Sequence, residues 1–183
     1  MVETGKKVAQ SQTTITELMI PSYANFGGKI HGGILLSLMD KVAYACASKH
    51  AGNYCVTVSV DNVEFLQPVE VGDLVSMHAS VNFVGKTSLV VGIKVIAENV
   101  KKGLVKHTNS SYFTMVAKED DKPTPVPPLI LESTKEVRRF WEAMQRRELK
   151  RNFNEKMDKT KNIEDLQKAL ETIKSQRCIV KFE

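Results

Sequence analysis

The stretch that most constrains this chain is Asn25-Phe-Gly-Gly-Lys-Ile-His-Gly-Gly-Ile-Leu-Leu-Ser-Leu-Met-Asp40, a glycine-rich turn that runs straight into a helix-forming segment. From Ile34 to Ala47 the segment is apolar around most of a helical circumference, leaving a narrow polar stripe of Ser37, Lys41, Tyr44 and Ser48. A helix of that kind belongs inside a core. Asp40 stands in its middle all the same, and a buried carboxylate is costly unless it is paired, hydrogen-bonded or used. A structural carboxylate satisfied by Ser37, Tyr44 or a neighbouring strand is the plain alternative to a functional one.

The flanking periodicities say what surrounds the helix. Residues 11–20 are rich in β-formers and are stopped by Pro21-Ser22, so a first strand precedes the glycine turn. The helix is expected to reach about His50, with Gly52 as its C-terminal cap. Four strand-like runs follow, at 55–67, 74–84, 88–97 and 104–117. In the first, Val56, Val58 and Val60 alternate with Thr57, Ser59 and Asp61, after which the apolar parity flips to Val63 and Phe65. That flip predicts a bulge near Asp61-Asn62. In the second and third, Val75, Met77, Ala79, Val81 and Phe83, then Leu89, Val91, Ile93 and Val95, form clean one-sided faces. A sheet covered on one side and a helix needing apolar neighbours all round are both satisfied by an antiparallel sheet curved around the helix, an α+β architecture.

Residues 1–122 are read as this domain, 123–131 (Pro-Thr-Pro-Val-Pro-Pro and the residues after it) as a stiff linker, and 132–183 as a basic helical extension. Ser133 or Thr134 can cap a helix through about Arg151 with Val137, Phe140, Trp141 and Met144 on one side. Asn162 can cap another, carrying Ile163, Leu166, Leu170 and Ile173. Docking of these helices on the protein's own body or on a sister subunit is the expected use.

Composition removes several function classes. The net charge of +5 lies mostly beyond Glu132 and has no interleaved aromatics, so nucleic acid is not an expected partner. No apolar run approaches the roughly 18 residues of a membrane span, and no secretory h-region is visible. Cys46, Cys55 and Cys178 have no paired spacing and read as thiols of a cytoplasmic protein. No metal-ligand spacing joins them to His31, His50, His78 or His107, and no metal is expected. G-x-S-x-G and G-x-G-x-x-G are absent, and Gly85-Lys86-Thr87 lacks the earlier glycine of a P-loop, where Ser80 stands instead. Cys46 is expected to be a small core residue rather than a nucleophile.

What remains is the turn and Asp40. Gly32 and Gly33 open a helix, where unpaired N–H groups and the positive dipole end can hold an oxyanion; the plain alternative is a tight turn. Gly32 and Asp40 are eight residues apart, about 12 Å along one helix, too far to act on one carbonyl. If both serve one reaction, Asp40 must come from a second, antiparallel copy of the helix, which makes a dimer with two shared sites. A carboxylate beside an oxyanion hole, without a strong acid, suits a good leaving group such as a thiolate, whose thiol pKa is about 8.5. Thioester hydrolysis is a natural match.

At these residues the sequence resembles the hotdog-fold acyl-CoA thioesterases of the cytosolic acyl-CoA hydrolase type. The resemblance rests on Pro21-Ser22, Asn25, Gly28, His31-Gly32-Gly33, Leu38-Met39-Asp40-Lys41-Val42-Ala43, the run from Val56 to Asp61, Phe65, Val71-Gly72-Asp73, Tyr112-Phe113-Thr114 and the proline segment, over about residues 12–150. It implies a sheet wrapped around a central helix and a site shared between two protomers. Asn25 of one would orient water or the thioester, and Asp40 of the other would activate water or attack directly. Gly32 or Gly33 would polarise the carbonyl, and His31 would have an orienting role. Asp61 is an additional candidate at the site. Gly85, Lys86, Thr87 and Ser88 resemble a turn that contacts coenzyme A; Arg138, Arg139, Arg146 and Arg147 are cationic candidates for its phosphates, with surface solvation the expected role for most of them. The resemblance implies a homo-oligomer, by default a trimer of dimers, and no cofactor beyond the coenzyme A of the substrate. Two competing functions share the fold: a non-catalytic acyl-CoA sensor, and a hydratase or dehydratase using an Asp/His pair.

Overall fold

The computed structural model describes residues 4–160 and 166–181. A two-residue strand β1 (Lys6–Lys7) and a single turn α1 (Val8–Ser11) lead into β2 (Thr13–Leu18) and a 3-10 turn at Pro21–Tyr23. The central helix α2 (Gly32–Ala51) is followed by β3 (Tyr54–Val60), β4 (Leu74–Val84), β5 (Ser88–Asn99) and β6 (Leu104–Glu119). Short strands β7 (Lys122–Pro123) and β8 (Leu129–Ile130) precede α3 (Thr134–Thr160) and α4 (Leu166–Ile173). The chain forms two compact units, Met1–Ala143 and Met144–Glu183. Among the described residues no helix is long and apolar enough to cross a membrane.

The sheet runs β2-β4-β5-β6-β3, antiparallel throughout, with β7 extending the end of β6. The predicted alternation decides its inner face: Val75, Met77, Ala79, Val81, Leu89, Val91, Ile93 and Val95 are all buried. Phe83, expected on the same face, is the exception: it lies past a register shift after Val81, is half-buried and packs on Phe140 of α3 instead. They pack with Leu35, Leu38, Met39, Val42, Ala43, Cys46 and Ala47 of α2 in one cluster. This is the α+β fold expected, a sheet curled around a helix. Gly52 ends α2 at φ 75°, in the left-handed region that glycine enters without Cβ strain, and donates its N–H to Ser48 O.

The proline-rich stretch is strapped to the domain. β7 pairs with the end of β6, and β8 lies parallel to β1. Val126 is buried, and its N–H bonds Lys86 O in the β4–β5 turn. Pro127 O accepts from Nε2 of His50, which is fully buried at the end of α2. With a carbonyl as partner, Nε2 carries the proton, and Nδ1 has no partner among the described residues. Burial pulls the His50 pKa down from its usual value.

Three expectations need correction. First, α2 is not enclosed on all sides. Its buried residues lie on one flank, while Ser37, Asp40, Lys41 and Tyr44 lie on an open one, so Asp40 is exposed in the single chain. Second, the valines of β3 do not face the core. Cys55 is buried and Thr57 points toward α2, while Val58 and Val60 are exposed; the register shift falls between Thr57 and Ser59 and the strand ends at Val60. β3 is the sheet's edge, and the side chains close to α2 are the smaller ones, so valine alternation reported the outer face. Third, the helix at 134 continues nine residues past the predicted Arg151 and presents Val137 and Trp141 to solvent; Phe140 packs on Phe83, with ring centroids 4.9 Å apart. Its capping is as expected: Ser133 Oγ accepts from Glu136 N, while the Glu136 carboxylate accepts from Ser133 N. α4 contains Leu166, Leu170 and Ile173, whereas Asn162 and Ile163 lie outside the described residues.

Candidate active site

The turn before α2 is built around Asn25. Its Oδ1 accepts the N–H groups of Gly27 and Lys29, at 2.9 and 3.2 Å, and its backbone N–H and C=O bond Lys29 O and Gly28 N. Gly28 sits at φ 74°, which closes the turn. Two backbone donors on the oxygen fix the orientation of the amide, so the Asn25 NH2 is the group that points outward to donate. Phe26, at the tip, is fully exposed.

His31 is the N-cap of α2, with extended backbone, and its Nδ1 accepts the Gly33 N–H at 2.9 Å. That bond requires the tautomer protonated at Nε2 and takes Gly33 out of reach of a ligand. The Gly32 N–H has no acceptor among the described residues. A Cβ on Gly32 would lie 3.3 Å from the ring of Phe65, which packs over this end of the helix. One free N–H, the positive end of a twenty-residue helix and an apolar ring beside it make an anion-stabilising corner.

Two turns along the open flank, Asp40 Oδ1 accepts from Thr57 Oγ1 at 2.6 Å. The same hydroxyl lies 3.2 Å from Met115 Sδ. Asp40 forms part of the wall of two cavities. One, of about 320 Å³, is bounded by Tyr44, Tyr54, Val56 and Met115; the other, of about 410 Å³, by Leu36, Val60, Val63 and Phe113. Oδ2 has no partner among the described residues, so one carboxylate oxygen is oriented and the other is available.

The predicted residues thus fall into three groups. Asn25, His31, Gly32 and Gly33 share the turn. Asp40 and Asp61 line one cavity, with Asp61 half-buried and its backbone held by Tyr112 and Ser111. Gly85, Lys86, Thr87 and Ser88 form the β4–β5 turn, closed by Gly85 N–H on Ser88 O and tied to Val126 and Ala117 through the carbonyls of Lys86 and Thr87. Thr57 and Phe65, named among the residues of the resemblance but not as site candidates, also take part in the geometry. Thr57 was legible only through its parity with Cys55. Cys46 is fully buried, with its thiol pushed up to about 12 by burial, which leaves no thiolate for nucleophilic chemistry.

Known proteins resemble this chain in sequence and in fold. The thioesterase superfamily model matches residues 27–104. The protein VdlD of Helicobacter pylori is 45% identical over 141 residues, 77% of this chain and 81% of the relative. The uncharacterized acyl-CoA thioester hydrolase YkhA of Bacillus subtilis is 32% identical over 166 residues, 90% of this chain and 93% of the relative. Among solved structures, an apo-hexameric acyl-CoA thioesterase superposes with a TM-score of 0.79 at 34% identity, over 82% of this chain and 97% of its own. The acyl-CoA hydrolase of Staphylococcus aureus, in complex with butyryl coenzyme A, coenzyme A and coenzyme A disulfide, does so with a TM-score of 0.78 at 30% identity, over 86% and 96%. Structures of its alanine variants at an asparagine, an aspartate and a threonine are also similar; those three positions are separated by fifteen and seventeen residues, as are Asn25, Asp40 and Thr57 here. With a relative matched over nearly its whole length and the same curled sheet around a helix, the chain belongs to the thioesterase superfamily, among the hotdog-fold acyl-CoA thioester hydrolases.

Proposed function

We propose that this chain hydrolyses acyl-CoA to a free acid and coenzyme A, at a site completed only when two copies pair. The observation that carries the reading is the Asp40 carboxylate, oriented by Thr57 on an open helix flank between two cavities, with Oδ2 available. Its partner groups, the Asn25 amide in the turn before α2 and the Gly32 N–H at the first residue of the helix, lie N-terminal to it, about 12 Å away along the helix for Gly32. Antiparallel pairing of two α2 helices across their open flanks sets Asp40 of one beside Asn25 and Gly32 of the other. The exposed Phe26, Tyr44, Tyr54, Val58 and Val60 supply apolar surface for that pairing, and β3 is a free sheet edge.

In this site Asp40 Oδ2 takes a proton from water as the water oxygen bonds to the thioester carbonyl carbon. The carbonyl oxygen gains the electron pair and is held by the Gly32 N–H, the dipole of α2 and the Asn25 NH2. Collapse of the tetrahedral intermediate breaks the C–S bond. Coenzyme A leaves as a thiolate that needs no strong acid. His31 keeps the cap rigid, Asp61 is a further polar group of the acceptor cavity, and Lys86 on its strapped turn is a cation for coenzyme A phosphates. No cofactor is required beyond the substrate. The functional unit is a homo-oligomer, a trimer of dimers, and the three free cysteines fit the cytoplasm.

The test is coenzyme A release from a ladder of acyl-CoAs, by thiol detection, for the wild type, Asp40→Asn and Asn25→Ala. Turnover in the wild type that falls by at least about a hundredfold in both variants supports the reading, a barrier change near 3 kcal/mol. Tight acyl-CoA binding without turnover would make the protein a sensor. Undiminished turnover in Asp40→Asn would leave its carboxylate a structural one.

A further inference from the structure

The outer face of the sheet carries a polar cavity of about 500 Å³ that the thioester chemistry does not use, roofed by the first turns of α3. Its floor holds two polar side chains, Ser80 and Asn82 of β4, only 8% and 6% exposed. Ser80 Oγ donates to Asn82 Oδ1 at 3.1 Å and lies 3.4 Å from the Arg139 guanidinium, which donates to it. With its oxygen so engaged, the Asn82 amide has its NH2 left to donate, and that NH2 has no acceptor among the described residues. The space for it depends on the neighbouring strand, because a Cβ on Gly92 of β5 would overlap Asn82 Nδ2.

The roof is turned inside out. Lys135, Arg138, Arg139 and Glu142, at i, i+3, i+4 and i+7, face the cavity, while Val137 and Trp141 of the same helix are more than half exposed. Lys94 of β5 adds a further cation to the wall. Glu142 is the one carboxylate of the lining and is committed to Arg138 at 2.8 Å. Lys94, Lys135 and Arg139 have no carboxylate partner among the described residues. Cations gathered over half-desolvated donors repel one another, and an anion among them removes that repulsion while taking up the free donors.

We infer that this cavity binds a compact polyanion of the phosphate class, at a site separate from Asp40. The Arg139 guanidinium and the Asn82 NH2 are the directional donors, and Lys94 and Lys135 act as point charges. The probe is inorganic pyrophosphate, titrated calorimetrically into the full chain and into Arg139→Gln and Asn82→Asp. Saturable binding of one equivalent per chain, weakened at least about tenfold in both variants, is expected. Thermal midpoints without pyrophosphate establish that the variants are folded, and Lys94→Gln is the substitute if either is not. Absence of binding to the wild type, or binding unchanged in the variants, overturns the inference. The phosphates of the substrate are the alternative source of the same charge. A several-fold rise in KM for butyryl-CoA in Arg139→Gln would assign these cations to the substrate and overturn the separate site; an unchanged KM is expected.

Discussion

A shared site makes a quantitative prediction that no single variant can. Asn25→Ala and Asp40→Asn chains, each inactive alone, should recover activity when combined. The Asp40 carboxylate and the Gly32 N–H are about 12 Å apart along one helix, so a chain cannot bring both to one thioester. In the proposed symmetric dimer each site would take Asn25 and Gly32 from one protomer and Asp40 from the other. A mixed dimer therefore has one site carrying both substitutions and one site that is fully wild type. Random pairing of equal amounts gives about half mixed dimers, each with one good site of two, so the mixture should regain about a quarter of wild-type turnover. Against variants each reduced about a hundredfold, that is a rise of roughly twenty-five-fold. The assay is coenzyme A release after co-expression of the two chains in equal amounts, with different affinity tags establishing that both are present in the purified assembly. Recovery no greater than the sum of the two variants refutes the shared site, because a site within one chain stays damaged in every pairing.

Gly32→Ala places a Cβ 3.3 Å from the Phe65 ring at the oxyanion corner. The ring must give by a few tenths of an ångström, so stability should change by no more than about 1 kcal/mol while kcat falls; thermal melts and thioester assays on the same sample separate the two. Thr57→Val keeps the shape of the side chain and removes the bond to Asp40 Oδ1. A roughly tenfold loss of kcat/KM with an unchanged thermal midpoint is expected, and equal activity would show that the hydroxyl does not position the carboxylate. His50 has its pKa lowered by burial, so it is neutral in the fold where an unfolded chain would bind a proton. Its contribution to stability is complete above about pH 6.5 and is lost as pH falls through the lower folded-state value. His50→Gln keeps a donor for Pro127 O and does not titrate, so the drop in thermal midpoint below pH 6.5 should be smaller in that variant.

The elements themselves were legible because they are written in local covalent geometry. Alternation at period two marked Val75 to Val81 and Leu89 to Val95 as a buried sheet face, and they are buried. A left-handed residue after the last helical turn demands a glycine or its like, and Gly52 stands there. Asp40 drew attention through a contradiction visible in one dimension, a charge in an apolar run. How that charge is satisfied was not visible, since Thr57 reaches it from a strand seventeen residues on. Nor was the sidedness of α2, β3 or α3. Period identifies a face, but only the neighbour packed against it decides whether that face turns inward. The valines of β3 and the apolar side of α3 look like core in the sequence and meet solvent in the chain, while Ser80 and Asn82 look like surface and are covered. Sequence alone determined which residues share a face, because bond geometry fixes that within a few residues; the tertiary structure decided which faces are enclosed, because enclosure is a contact between segments far apart along the chain.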